Sequence, residues 1–94
     1  MGEWPFEDPE NFATMTVRQV THGGDPILLV THDADDGMWQ FLAGGPAEMA
    51  DAMIVSLREV FDIDPSIGEL ADLPLGWTAE RSAFGQPWRR QPRV

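Results

Sequence analysis

Cysteine and lysine are both absent from this chain of 94 residues, and each absence excludes a class of chemistry. Without cysteine there are no disulfides, no thiol nucleophiles and no thiolate ligands for a metal. All 6 basic residues are arginines, and they stand against 16 acidic residues, so the formal net charge is −10. Such a balance cannot neutralise a run of phosphates, and we expect no nucleic-acid partner.

Long hydrophobic runs are also missing. No apolar stretch approaches the roughly 18 residues that a membrane span needs, so we expect no membrane partner. The first ten residues lack a basic segment followed by an apolar one, so we expect no secretory signal and a cytoplasmic location. Hydrophobic residues make up 43% of the chain, the share of a folded domain. The length suffices for one core, and we predict a single domain over 1–94.

The charge is divided unevenly along the chain. Arg89, Arg90 and Arg93 lie in the last six residues, so residues 1–88 hold 16 acids and 3 arginines, a net charge of −13. Prolines interrupt both ends. We predict an extended arm over 1–13, an α+β body over 14–85 and an irregular basic tail over 86–94. The acidity either keeps the protein in solution or steers a basic partner toward it.

Two turn signals within residues 14–42 predict a three-stranded antiparallel meander. Gly-Gly at 23–24 and Asp-Gly at 36–37 each separate segments rich in β-branched or aromatic residues. A two-residue loop at 23–24 places Val17 opposite Val30, and a four-residue loop at 34–37 places Val30 opposite Phe41. Both loops then place the same residues on one face of the sheet, which supports the register: Met15, Val17, Leu28, Val30, His32, Trp39 and Phe41.

The rest of the body predicts two helices and one more strand. Apolar residues at helical spacing indicate a main helix over 47–62, although residues 53–55 could instead form a short strand. Ser66-x-x-Glu69 has the form of a capping box and predicts a short helix over 65–71. Alternation over 76–83 predicts a fourth strand. The predicted fold class is therefore α+β: a small antiparallel sheet, the meander plus a later strand, with one main and one short helix packed on it.

His32 and the acidic turn after it are where the sequence gathers groups that could bind a metal. An imidazole with the carboxylates of Asp33 and Asp36 can hold a divalent ion. The turn does not match a calcium loop, because Ala43 stands where the loop needs a glutamate. Turn-forming aspartates and a histidine at the rim of the core explain the segment without a metal, and we expect no cofactor. The chain has no G-x-S-x-G motif and no phosphate-binding glycine loop, so we expect no enzyme.

Tryptophan is unusually frequent, with 4 in 94 residues. Trp39 and Trp77 lie at predicted strand positions, where they are expected in the core. Trp4 and Trp88 lie beside prolines in the predicted arm and tail, and Trp88 precedes Arg89. These side chains either pack on the body or contact a partner, since tryptophan and arginine are enriched at interface hot spots.

Four motifs are spread along the chain: His32-Asp33-x-Asp35-Asp36-Gly37-x-Trp39-Gln40-Phe41-Leu42, Asp64-Pro65-Ser66-Ile67, Leu70-Ala71-Asp72-Leu73-Pro74-x-Gly76-Trp77-x-Ala79-x-Arg81 and Pro87-Trp88-Arg89. Together they resemble an uncharacterised family of small bacterial proteins, over most of residues 14–90. More distantly, residues 33–77 are similar to a domain of immunity proteins in bacterial polymorphic-toxin systems. This resemblance implies a small α+β domain that binds and blocks a toxin, and it implies no catalytic residues.

We therefore predict a non-enzymatic module that binds another protein, with a basic protein as the expected partner. The candidate partner contacts are Trp4, Asp33, Asp35, Asp36, Trp88 and Arg89. The alternative is a metal- or small-ligand-binding protein, or an enzyme, centred on His32 and the turn 33–36. A pocket joining His32 to buried carboxylates would favour the alternative, whereas a solid rim with acidic patches and exposed tryptophan would favour the module.

Overall fold

A computed structural model of the chain describes residues 4–45 and 48–93, which form a mixed six-stranded sheet with helices. The strands are β1 (Ala13–Val17), β2 (Leu29–His32), β3 (Trp39–Leu42), β4 (Ala52–Ser56), β5 (Trp77–Glu80) and β6 (Arg89–Pro92). The helices are α1 (Arg18–Thr21), α2 (Leu57–Ile63) and 3₁₀ helices at Met49–Asp51 and Pro65–Leu70. The predicted α+β class is confirmed. Within the described residues, no helix is both long and apolar enough to cross a membrane.

The strand order is β4-β1-β3-β2-β5-β6, which is larger than the predicted sheet of a meander and one added strand. Every neighbouring pair is antiparallel except β1 and β3, which are parallel. The hairpin of β2 and β3 is confirmed in its predicted register, with Val30 opposite Phe41 and His32 opposite Trp39. Gly37 adopts a φ of 73° in its turn, a conformation that favours glycine.

The predicted hairpin of β1 and β2 is wrong, because β1 lies between β3 and β4 and does not pair with β2. The Gly-Gly pair ends α1 instead. The N–H of Gly23 donates to the carbonyl of Arg18 at 3.1 Å, and Gly24 has a φ of 75°. A left-handed glycine ends a helix as readily as it forms a hairpin turn, so the same two letters fit both structures.

The predicted apolar face is wrong for β1. Met15 lies opposite Gln40 of β3, so Met15 and Val17 lie on the other face of the sheet from Trp39 and Phe41. We name the face that carries Trp39 and Phe41 the core face, and the face that carries Met15 and Gln40 the outer face. Leu28 lies just before β2 rather than within it.

Threonines of β1 occupy the core face in place of the expected apolar residues. Thr14 and Thr16 are fully buried, and each hydroxyl donates to a strand carbonyl: Thr14 to Val55 at 3.1 Å and Thr16 to Phe41 at 2.7 Å. A hydroxyl that makes such a bond can be buried at little cost, and its methyl group packs like that of valine. Hydrophobic alternation therefore pointed to the wrong side of this strand.

The predicted main helix over 47–62 is wrong in its described part, and its first residue, 47, lies outside the described residues. Within 48–63 only Leu57–Ile63 is α-helical, and the residues before it form a 3₁₀ turn and strand β4, so the short-strand alternative for 53–55 is the correct one. Ser56 ends the strand and begins α2, where its hydroxyl accepts from the N–H of Glu59 at 3.1 Å. The short helix over 65–71 is confirmed as the 3₁₀ helix Pro65–Leu70. Its cap is Asp64, not Ser66, because the Asp64 carboxylate accepts from the N–H of Ser66 at 3.0 Å.

The fourth predicted strand is confirmed as β5, whereas the tail predicted to be irregular contains strand β6. The core lies between the core face of the sheet and the helices that follow β4. It also takes in Phe6 of the arm, whose ring meets that of Trp39 edge to face at 5.5 Å. The buried hydrophobic residues, which include Val17 on the outer face, are Phe6, Val17, Val20, Ile27, Val30, Trp39, Phe41, Leu57, Val60, Ile67, Leu70, Leu73 and Ala79.

Candidate functional site

Asp33 opens the acidic turn between β2 and β3 and is held on the outer face by side-chain donors. Its carboxylate accepts from Thr31 at 3.2 Å, from Gln40 at 2.7 Å and from Arg93 at 3.2 Å. The side chain is 14% exposed. The Asp33 backbone closes the turn, since its N–H donates to Met38 at 2.8 Å. Donors of the same chain therefore occupy the Asp33 carboxylate, and a partner reaches it only where Arg93 is displaced.

Asp35 and Asp36 differ from Asp33 because both are exposed. One oxygen of Asp36 accepts from the N–H of Met38 at 2.9 Å and holds the turn, which leaves the charge facing solvent. A second turn lies alongside: the N–H of Gly76 donates to His32 at 2.7 Å, and a Cβ added at Gly76 would meet the methyl of Ala34 at 3.5 Å.

The second turn also presents Leu75, whose relative exposure is 56%. We name the exposed group formed by Ala34, Asp35, Asp36 and Leu75 the acidic turn surface. It combines an apolar side chain with carboxylates, a composition that suits contact with a basic protein.

His32 points away from this surface. Its ring stacks on Trp39 at a centroid distance of 3.9 Å, and its Nδ1 donates to the carbonyl of Leu73 at 2.8 Å. His32 lies on the core face and Asp33 on the outer face, so the two side chains cannot share a metal with Asp36. Among residues 4–45 and 48–93, no three His, Cys, Asp or Glu side chains are grouped to hold a metal ion.

A buried ion pair, which the sequence analysis did not identify, joins three of the four motifs. Arg81 and Asp64 are 1% and 6% exposed, and their side chains meet at 2.7 Å. Arg81 also donates to the carbonyl of Ile27 at 2.9 Å and to the hydroxyl of Ser66 at 3.1 Å. Trp88 covers the pair, with its ring centroid 4.1 Å from the guanidinium carbon. We name Asp64, Ser66, Arg81 and Trp88 the ion-pair cluster.

The remaining predicted contact residues divide into packed and exposed side chains. Trp88 is half-buried in the ion-pair cluster, and Trp4 is half-buried against Phe61, with ring centroids 5.3 Å apart. The Trp4 indole N–H donates to the carbonyl of Asp8 at 2.8 Å. Arg89 is 79% exposed and approaches Glu80 at 3.5 Å. Both terminal tryptophans therefore pack on the body, and Arg89 remains accessible.

Every arginine of the chain pairs with a carboxylate of the same chain. The pairs join Arg18 to Asp51, Arg58 to Glu10 and Asp62, Arg81 to Asp64, Arg89 to Glu80, Arg90 to Asp72 and Arg93 to Asp33. Within residues 4–45 and 48–93, the acids outside these pairs are Glu7, Asp8, Asp25, Asp35, Asp36, Glu48, Glu59 and Glu69. Asp8 is half-buried and the others are exposed. The charge available to a partner is therefore negative.

Two of these exposed pairs shift the pKa of a member. The hydrogen bond from Arg90 lowers the pKa of Asp72, and the attraction of the same guanidinium adds to that effect. Hydrogen bonds to Asp62 and Glu10, with their charges, raise the pKa of Arg58. Both shifts favour the charged forms that make the pairs.

Comparison with family models, with curated proteins and with solved structures gives no match for this chain. The resemblance described above therefore stays a prediction.

Proposed function

We propose that this chain is a non-enzymatic protein-binding module that engages a basic partner through its acidic turn surface. The charge distribution carries the proposal: the arginines are already paired within the chain, while Asp35 and Asp36 remain exposed in a turn that lies alongside the turn carrying the exposed Leu75. An anionic partner would find few free cations, whereas a basic partner would find exposed carboxylates and an apolar side chain on neighbouring turns.

Long-range attraction would act before contact. A chain with a net charge of −10 raises the local concentration of a basic protein, and the association rate then falls as salt screens the field. The distant similarity to immunity domains supports the same direction, because it implies binding to a toxin. In that form of the proposal the partner is a basic toxin.

The alternative centred on His32 has less support. The His32 ring is committed to Trp39 and Leu73, and the neighbouring Asp33 carboxylate faces the opposite side of the sheet. The chemistry that would need both groups together has no common space in this arrangement.

The test removes two charges from the acidic turn surface. In Asp35→Asn/Asp36→Asn, the asparagine at 36 can still accept from Met38, so the turn keeps its geometry. Asp25→Asn/Glu59→Gln is the matched control, because it removes the same charge from exposed sites elsewhere. We expect the turn variant to associate about tenfold more slowly with a partner recovered by affinity capture, and the control to change much less.

Rates would be measured across a salt series by surface plasmon resonance. An acidic partner, an association rate that ignores salt, or equal rates for the two variants would each contradict the proposal.

A further inference from the structure

Strand β6 is a basic extended segment that lies on the acidic edge of the sheet. All four of its residues, Arg89–Pro92, are exposed. Its side chains reach carboxylates at three places: Arg89 at Glu80, Arg90 at Asp72 and, just beyond the strand, Arg93 at Asp33. The folded chain therefore already contains one basic strand bound at this edge of its sheet.

The forces that hold β6 differ from those that hold the inner strands. With every residue of the strand exposed, hydrophobic burial contributes little. Exposed ion pairs contribute little to stability and weaken with salt. What remains is a ladder of four residue pairs with β5. Trp88, the residue before the strand, packs on the buried Arg81 and anchors the segment on that side of β6.

The register of β5 with β6 identifies the backbone groups of β5 that would lose their partners if β6 detached. The N–H of Arg93 donates to Gly76 at 2.7 Å, and from this pair the antiparallel alternation turns Thr78 and Glu80 of β5 toward β6. The same alternation turns the nitrogen of Pro92 outward, where its missing N–H makes the far edge of β6 a poor template for another strand. The edge suited to a new strand is therefore the one that β6 covers.

We propose that the edge of β5 is an exchange site, at which a basic extended segment of the partner pairs with β5 in place of β6. The cations of that segment take over the carboxylates of Asp33, Asp72 and Glu80, next to the acidic turn surface. The inference rests on the proposed function and specifies how the partner binds. A partner of opposite charge suits this edge better than a second copy, because two copies of net charge −10 repel each other.

The test uses the chain's own strand as the probe. A fluorescent peptide with the sequence of residues 87–94 is titrated into two full-length variants, Arg89→Glu/Arg93→Glu and Arg18→Glu/Arg58→Glu. Both variants carry a formal net charge of −14, against −10 for the chain, and all four arginines are more than half exposed. General attraction of a cationic peptide is therefore matched, and only the first variant weakens β6.

We expect the first variant to bind the peptide about tenfold more tightly than the second, because two attractions of the competing strand become repulsions. Binding should fall between about 0.1 M and 1 M salt, where the Debye length shrinks from roughly 10 to 3 Å. N-methylation of the peptide at the position of Gln91, whose N–H faces β5, should abolish binding. N-methylation at the position of Arg90, whose N–H faces outward, should not.

Equal affinities of the two variants, or equal effects of the two methylations, would overturn the exchange site. So would a concentration-dependent dimer in sedimentation that persists in Ile54→Lys, which blocks the other sheet edge at β4, since a second copy would then occupy the edge of β5. Hydrogen exchange of the unmodified chain tests the exchange site without any substitution that could disturb folding. The amides of Gln91 and Arg93 should lose protection as salt is added, while those of β3 should not. A failed exchange site with slower association in Asp35→Asn/Asp36→Asn would leave the proposed function standing. Peptide exchange at β5 with no effect of Asp35→Asn/Asp36→Asn would keep the exchange site and remove the role proposed for the acidic turn surface.

Discussion

Arg81 is the charged side chain with the most to lose on substitution. It donates to Asp64, Ser66 and Ile27 while 1% exposed, so removing its guanidinium leaves the Asp64 carboxylate buried without its cation. We expect Arg81→Met to lower the free energy of unfolding by about 3–5 kcal/mol in urea denaturation. Arg89→Met is the matched control, since that arginine is 79% exposed and should cost less than about 1 kcal/mol.

The double variant Arg81→Met/Asp64→Leu adds a second readout. It removes both charges together, so it should recover part of the stability that the single variant loses. A single variant as stable as the Arg89→Met control would mean that the ion-pair cluster contributes little to the fold.

The sequence identified some site residues and missed others. The acidic turn was readable because Asp and Gly at 33–37 are local turn chemistry. The sequence did not predict that Asp33, unlike Asp35 and Asp36, is largely buried. Its burial depends on Thr31, Gln40 and Arg93, which meet it on one face of the sheet. The pairing of Arg81 with Asp64 joins positions 17 apart. One signal for this pair was available in the sequence. Arg81 lies two residues after Ala79, so the alternation of a strand places its cationic side chain on the same core face as Ala79.

Strand β6 is the element whose attachment should respond to pH. Because Arg90 lowers the pKa of Asp72 below its ordinary 3.8, the pair stabilises the attached strand above that value. Its contribution is lost as the pH falls through the lowered pKa of the folded state. We expect amide protection in β6 to decrease below a pH of about 3.8, measured by hydrogen exchange. In Asp72→Asn that decrease should be smaller, and an unchanged decrease would show that Asp72 has no part in it.

Among the elements, local pairs were predictable and distant ones were not. The hairpin of β2 and β3 is closed by one short turn, and its register follows from that turn. The parallel pair of β1 and β3 needs a crossover, which no local pattern specifies. The apolar stripe from 49 to 61 satisfied helical spacing only because a strand and a helix follow each other there, and β-branched Ile54 and Val55 were the sign of the strand.

The two edges of the sheet are protected from pairing with another strand to different degrees. The edge at β6 carries arginines and Pro92, whereas β4 has no charged residue between Ala52 and Ser56. The N–H of Leu57 donates to Phe12 at 2.8 Å, and from this pair the antiparallel alternation turns the backbone of Ile54 away from β1. Among residues 4–45 and 48–93, no strand pairs with the edge of β4 that faces away from β1. Ile54 itself is 59% exposed.

Net charge then becomes the main protection against pairing through β4. Near neutral pH, repulsion between chains of net charge −10 opposes edge-to-edge contact. At the isoelectric point of about 4.2 that repulsion disappears, and the bare edge should promote association. We expect the hydrodynamic radius measured by light scattering to increase as the pH approaches 4.2, and to increase much less in Ile54→Lys. The lysine lies on an exposed position, so the free energy of unfolding at neutral pH should change by less than about 0.5 kcal/mol.

Phe84→Lys is the matched control, because Phe84 is 67% exposed but lies outside the strands. If both lysine variants suppress association equally, the added positive charge rather than the edge of β4 is responsible.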